Sequence, residues 1–576
     1  MSSRHYVFTF LALPLALFAA QAEAGEVVPE SSTRGQRPSD EGKGSLAPVP
    51  PFVLTTAPLQ QYVERFNALD EEIYPQAFPN AGAYDFLKSN IPLFSCPDNM
   101  MERTYYFRWW TYRKHIKQTP VGYIITEFLP DVSWAGKYNA IPCAAMHHFM
   151  EGRWLRDPKF LRDYANFWAR HAGMRTDGSS KAVLGHGFPF PSALCNFHLV
   201  HSSRDLLVDL YPELVENFTE LKTRRLTETG LFWSKDGSWL GDGMEVGISG
   251  QGIRPTINSY LYAQARALAY IAEIRGDKNA AATFKQEADF IADKMMELLW
   301  DKEAGFFKVI RQKDIPAGKR TDVRELIGFV PWYFSIPPKG KGYEEAWKQL
   351  MDPQGFFAPF GPTTAEQRHP KFRLSYEGHE CQWNGPSWPY ATSQTLTALA
   401  NVLNDYPQTD ISKQDYFKTL QIYANAHAFR QIPVGTSASS VIVREDRPWI
   451  DENLNPQTGD WIARTRQEVQ GKNGHKPPHE RGKDYNHSTF CDLIITGLVG
   501  LRPRADDLIE VNPLLPPDTW DWFCLDNVPY HNRILTIIWD KTGQKFGQGV
   551  GLIILADGKE IARSPNLSRV VASLKL

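Results

Sequence analysis

One theme recurs along most of this chain: a helical stripe of apolar residues, a long loop rich in glycine and aromatic residues, then another helical stripe. Leu261, Ala265, Leu268 and Ile271 share a face at helical spacing. Phe284, Ala288, Ile291, Met295 and Leu298 do so in the next stretch, and Leu396, Leu399 and Leu403 further on. Gly276-Asp277-Lys278 splits the first two stripes into a helical hairpin, and LLWDKEAGFF (298–307) ends the second helix and starts a short extended piece. A helix with one apolar face must bury it against a neighbour. A long string of hairpins with loops gathered on one side therefore predicts a toroid of helices.

The texture changes near residue 505. RILTIIWDKTGQKFGQGVGLIILADGKEIAR (533–563) has β-branched runs broken at Lys-Thr-Gly and Asp-Gly-Lys, the punctuation of β-hairpins. The expected architecture is mainly α: a helical toroid over 53–504 and a small β-rich module over 505–576. The joining stretch GLVGLRPRADDLIEVNPLLP (497–516) is apolar and proline-rich, which predicts close packing between the two and argues against a free tether.

The first residues, MSSRHYVFTFLALPLALFAAQAEAG, combine a basic start at Arg4, an apolar run and a small-residue site at Ala22-Glu23-Ala24. Residues 1–24 read as a secretory signal peptide and 25–52, rich in Pro, Ser, Gly and charge, as a flexible leader. No later stretch is long and apolar enough to span a bilayer, so the expected location is periplasmic or secreted. Export permits disulfides, yet Cys96, Cys143, Cys195, Cys381, Cys491 and Cys524 stand singly with no CxxC pair. Neither His147-His148 nor His379-Glu380-Cys381 completes a tetrahedral ligand set, so no metal or cofactor is expected. Charges nearly cancel, 63 basic against 65 acidic, which argues against a nucleic-acid partner. The 17 Trp, 23 Tyr and 33 Phe suit either a large aromatic core or rings lining a carbohydrate cleft, and position must decide.

Three loop clusters interrupt the helical background. They are GDGMEVGISGQGIRPTINSYLY (241–262), YEGHECQWNGPSWPYATSQ (376–394), and WIDENLNPQTGDWIARTR (449–466) followed by HERGKDYNHSTFCDLIITGL (479–498). Each carries a carboxylate beside Trp, Gly or Pro at a hairpin junction, which in a toroid puts all three at one mouth.

WNGPSWP before a helix resembles the WxGPxWP element of the six-hairpin, (α/α)6-barrel glycosidases: glycoside hydrolase family 63, the mannosylglycerate-hydrolase-type enzymes and, more distantly, the trehalases. FGPTTAEQRHPKF (360–372) fills the place of their short substrate loop. ENLNPQTG (452–459) resembles their ENYxPxTG element, which bears the general base, and DGMEVGISG before NSYLY is similar to their SGxDNS loop, which bears the general acid. The resemblance covers most of 230–500. It implies an inverting, exo-acting hydrolase of a terminal sugar, with Glu245 as acid and Glu452 as base. The relatives place aspartate at the acid position where this chain has Glu245, so Asp242 is a second candidate there, and Glu480, beside Arg481, is a rival base.

WAGKYN (134–139) is loop-like and polar, and with the motif tryptophans it supplies candidate sugar contacts: Trp134, Tyr138, Asn139, Trp383, Asn384, Trp388 and, at the helix entry, Arg254. Two other readings stand beside hydrolysis. A polysaccharide lyase on the same toroid would use Tyr485-Asn486-His487 and Arg481, and a non-catalytic glycan binder would keep the fold alone. The partner expected in every case is an oligo- or polysaccharide.

Overall fold

The computed structural model describes residues 53–133, 135–172, 188–235, 242, 244, 246–374, 381–432, 442–462 and 480–574. The expected signal peptide (1–24) and leader (25–52) lie outside these residues.

The Gly276 hairpin shows how the helices are made. Pro255 opens the Pro255–Arg275 helix after an extended Arg254, and the helix ends where Gly276 takes the left-handed conformation at φ 80°. Asp277 then caps Lys278–Leu298 by accepting from the Ala280 amide at 3.0 Å, a contact worth ~1 kcal/mol. The first helix is buried on nearly every side, whereas the second buries Ala281, Ala288, Ile291 and Met295 and leaves its other faces wet. One helix is therefore inner and one outer. The same contrast separates Pro389–Asp405 from Lys413–Ala426.

Six inner elements pack in a closed cycle. Ala145–Gly152 meets Phe190–His201, which meets Pro255–Arg275, then Val330–Tyr333, then Pro389–Asp405. The last of the six is the Phe490–Asp492 turn with its π-helical continuation Leu493–Leu498, which packs against both Pro389–Asp405 and Ala145–Gly152. The loops that precede these elements carry all three motif clusters.

The C-terminal part is a five-stranded antiparallel sheet in the order Leu93–Ser95, Trp522–Tyr530, Arg533–Asp540, Gly551–Ala556, Lys559–Ser564. Its first strand comes from the helical part of the chain: Leu93, Phe94 and Ser95 pair with Asp526, Leu525 and Cys524. Buried Asp526 adds a second tie, accepting from the amides of Val53 at 2.7 Å and Leu54 at 2.9 Å. The joining stretch is folded down as well, with Leu508–Val511 paired to Val570–Ser573. All described residues fall in one compact unit, and among them no helix is long and apolar enough to cross a membrane.

Candidate active site

Two of the motif loops are welded together. Ser387 and Leu454 exchange backbone hydrogen bonds, each 3.0 Å, so the WNGPSWP loop runs antiparallel to the ENLNP loop. Gly385 lets the first loop pass close to its neighbour, since a Cβ there would lie 1.8 Å from the Arg373 carbonyl oxygen. Its amide donates to Thr364 Oγ1 at 3.0 Å, and that hydroxyl donates to the Pro386 carbonyl at 2.9 Å. FGPTTAEQRHPKF thus buttresses the motif loop from behind.

This weld brings the loop of Glu452 against the one that bears an aromatic wall. Trp383 and Trp388 stack at 4.6 Å between centroids, with Trp388 Nε1 donating to the Gln382 carbonyl at 2.7 Å. Trp383 meets Tyr390 edge-on at 5.9 Å, and Tyr390 covers His147 at 3.9 Å and approaches His487 at 6.2 Å. Glu452 is 1 % exposed, and its Oε1 lies 3.1 Å from the Cys381 thiol. Burial holds the His147 imidazole down at about 4 and that of His487 well below its ordinary value, so both rings are neutral near pH 7. His147 donates from Nε2 to the Tyr390 carbonyl at 3.1 Å, which leaves Nδ1 as an acceptor. Among the described residues that nitrogen, the Trp383 Nε1 donor and the Asn384 Oδ1 acceptor have no hydrogen-bond partner, although all three are buried atoms.

Asp242 sits beneath the first motif loop. Its Oδ2 pairs with Arg254 Nε at 2.8 Å and accepts from the Thr256 hydroxyl, while Oδ1 accepts from the Met244 amide at 3.3 Å. Its charge reaches the aromatic wall. The phenols of Tyr260 and Tyr390 are pushed up first by burial, and Asp242 adds to both. Gln394 Nε2 donates to the Tyr260 hydroxyl at 2.7 Å. Beyond Asp242, Val246 holds a left-handed φ of 57°, a costly conformation for a β-branched residue and one that clusters at working sites. The loop is pinned there by the Ser249 amide, which donates to buried Glu325 Oε1 at 3.1 Å, and by Arg311, which donates to the Ser249 carbonyl at 3.1 Å. Glu245 and Trp134 lie outside the described residues.

The other expected residues are placed as follows. Asn139 is buried at a φ of 60° and turns its amide onto the 128–132 backbone, donating to Phe128 and Pro130 carbonyls at 3.1 and 2.9 Å and accepting from Val132 at 3.0 Å. Tyr138 packs edge-on against Phe167 at 5.7 Å. Glu480 is ion-paired with Lys483 at 3.0 Å, and Lys483 reaches Asp70 at 3.1 Å, so its counter-ion is Lys483 and not the Arg481 next in sequence. The Tyr485 hydroxyl donates to Glu127 at 2.6 Å, and His487 Nε2 faces the Asp451 carbonyl at 3.3 Å. Glu127, Cys143, His147, Tyr390 and Cys381 border the same region without standing in any recognisable motif. The one local hint was a polar loop entering an inner helix. Among the described residues no three His, Cys, Asp or Glu side chains group as metal ligands.

Buried carboxylates set among indole, phenol and neutral imidazole, at the loop ends of a helical domain, mark the chain as glycosidase-like. Residues 137–488 match the mannosylglycerate hydrolase MGH1-like glycoside hydrolase domain, and the chain belongs to that family. Residues 501–562 match the C-terminal domain of glycosyl hydrolase family 65. A solved structure named "Sialidase" is similar at 42 % identity and a TM-score of 0.81, over 91 % of this chain and 45 % of that one. This chain thus spans less than half the length of that protein. Two more distant likenesses are the GH63 mannosylglycerate hydrolase from Thermus thermophilus in complex with glucose (13 % identity, TM-score 0.46, 68 % of this chain and 99 % of that one) and the GH78 rhamnosidase of Bacillus sp. GL1 (13 % identity, TM-score 0.49, 78 % and 40 %).

Proposed function

We propose that the protein is an exported glycoside hydrolase that removes a terminal sugar with inversion of configuration. The observation that carries the reading is Glu452: a buried carboxylate on a loop welded to the one that bears the stacked Trp383–Trp388 pair. In this mechanism Glu452 is the base that activates water. A carboxylic acid on the loop at 241–250 protonates the departing oxygen from the opposite face, the two standing about 6.5–9.5 Å apart to admit that water. Asp242 is committed to Arg254 and Thr256, which favours Glu245 as the proton donor and leaves Asp242 to shape the loop.

The unpartnered Trp383 Nε1, His147 Nδ1 and Asn384 Oδ1 suit a polyol, whose hydroxyls both donate and accept. Neutral imidazoles favour an uncharged sugar at that wall. The closed cycle of six inner elements supports an (α/α)6 toroid. The N-terminal 24 residues would carry the chain to the periplasm or beyond.

A panel of oligosaccharides with terminal neutral sugars tests the reading, with the first-formed anomer followed by NMR. Inversion is expected, and Glu452→Gln and Glu245→Gln each lower kcat by about 10²–10⁴-fold while the protein stays folded. A retained anomer, or wild-type rates in both folded variants, overturns it.

A further inference from the structure

We propose that Cys381 is a positioning residue for Glu452, its thiol donating a hydrogen bond that aims the carboxylate at the attacking water. The inference rests on Glu452 being the general base. Cys381 Sγ stands 3.1 Å from Glu452 Oε1, and the side chains are 8 % and 1 % exposed. They lie 71 residues apart in the chain and meet because the Ser387–Leu454 pairing draws their loops together. Trp383, two residues beyond Cys381, belongs to the aromatic wall, so one short segment sets both the ring and the orientation of the carboxylate.

The contact differs in kind from those of three other thiols. Cys96, Cys195 and Cys491 point at the backbone carbonyls of Asp98, Ala267 and Tyr105 at 3.4, 4.0 and 3.3 Å, the ordinary fate of a buried thiol in a helical core. Cys143 does face a carboxylate, but it stands 3.6 and 3.7 Å from the two oxygens of Glu127, too even a split to aim either one. Cys381 is turned toward a single oxygen of the proposed base. A thiol is a weak donor. It fixes the direction of the oxygen it holds while stabilising the ionised form less than a hydroxyl would. A carboxylate that must take a proton from water gains by being aimed without being made a poorer base.

The test uses the full-length protein and an aryl glycoside of the sugar that the wild type releases. The pH profiles of kcat/KM are compared for wild type, Cys381→Ser and Cys381→Ala, with Glu452→Gln measured alongside. Serine, the stronger donor, is expected to move the acid limb of the profile down by about half a unit, and alanine to move it up by a similar amount. Alanine is also expected to lower kcat about 10-fold on the plateau, with serine recovering most of that loss. Coincident acid limbs with an inactive Glu452→Gln would show that Cys381 merely fills space, and would overturn this inference alone. An active Glu452→Gln would overturn the base assignment and this inference with it. Where alanine fails to fold, the nearly isosteric serine decides the question by its acid limb.

Discussion

Asp242 and Glu452 are equally hidden from water, yet their neighbours differ, and so do the roles open to them. Asp242 faces a guanidinium that is itself 1 % exposed, so removing its charge breaks a buried ion pair. Asp242→Asn is expected to cost ~3–5 kcal/mol of stability, read from urea unfolding. A midpoint equal to that of the wild type would show that the Arg254 pair contributes nothing. Glu452 was legible in the sequence because ENLNPQTG is a local pattern. Cys381, His147 and Tyr390 were not, because each gains its meaning from a partner far along the chain. Asn139 illustrates the converse: its residue type suits a sugar contact, but its amide is drawn to nearer carbonyls in its own loop.

At the level of elements, the motif glycines have backbone reasons. Gly385 lies where a Cβ would meet the Arg373 carbonyl at 1.8 Å, and Gly459 holds a φ of 74° with Phe360 packed against it. Gly385→Ala must push the Trp383–Trp388 loop away from its buttress and off the Leu454 pairing. The expected result is a loss of ~1–3 kcal/mol in stability and a fall in kcat/KM larger than that loss explains, seen by following both on the same sample. A variant as stable and active as wild type would mean the loop has slack that the packing does not suggest. The helical hairpins were readable from spacing, and Gly276 ends its helix where the pattern breaks. Which helix of that hairpin lies inside was not legible, because Pro255–Arg275 shows the same one-face spacing as its outer partner although it is buried on nearly every side.

Over the whole molecule, buried histidines set a limit on the acid side. Burial lowers His115 to about 3, His147 and His201 to about 4, His427 to about 3, and His148 and His487 well below the ordinary value. The unfolded chain takes up protons on these rings below pH ~6.5 while the folded chain does not, so stability falls as pH drops from there toward 4. At pH 5 each of the four rings held at about 3 or 4 costs about 2 kcal/mol, on the order of 8 kcal/mol together, comparable with the whole net stability of a typical domain. Glu151 runs the other way: burial raises it to about 7, so the folded state holds its proton more tightly below that pH, an offset from a single group. A sharp drop in thermal midpoint between pH 7 and pH 5 is expected, and an unchanged midpoint would refute the account. The sheet belongs to this scale too. Its hairpins were legible from turn residues, but the edge strand Leu93–Ser95 is three residues long and pairs more than 400 residues away, beyond any local signal.

The chain's periodicity and turn residues were enough to specify paired helices followed by β-hairpins, because those depend on neighbours a few positions apart. The motifs likewise singled out Glu452, Trp383 and Trp388, whose loops the fold pairs. Which groups surround that carboxylate, which cation holds Glu480, and how the C-terminal sheet is tied to the helices depended on segments far apart in sequence. Their contact energies exist only once loops from several hairpins are brought to one place, and that is a property of the folded packing.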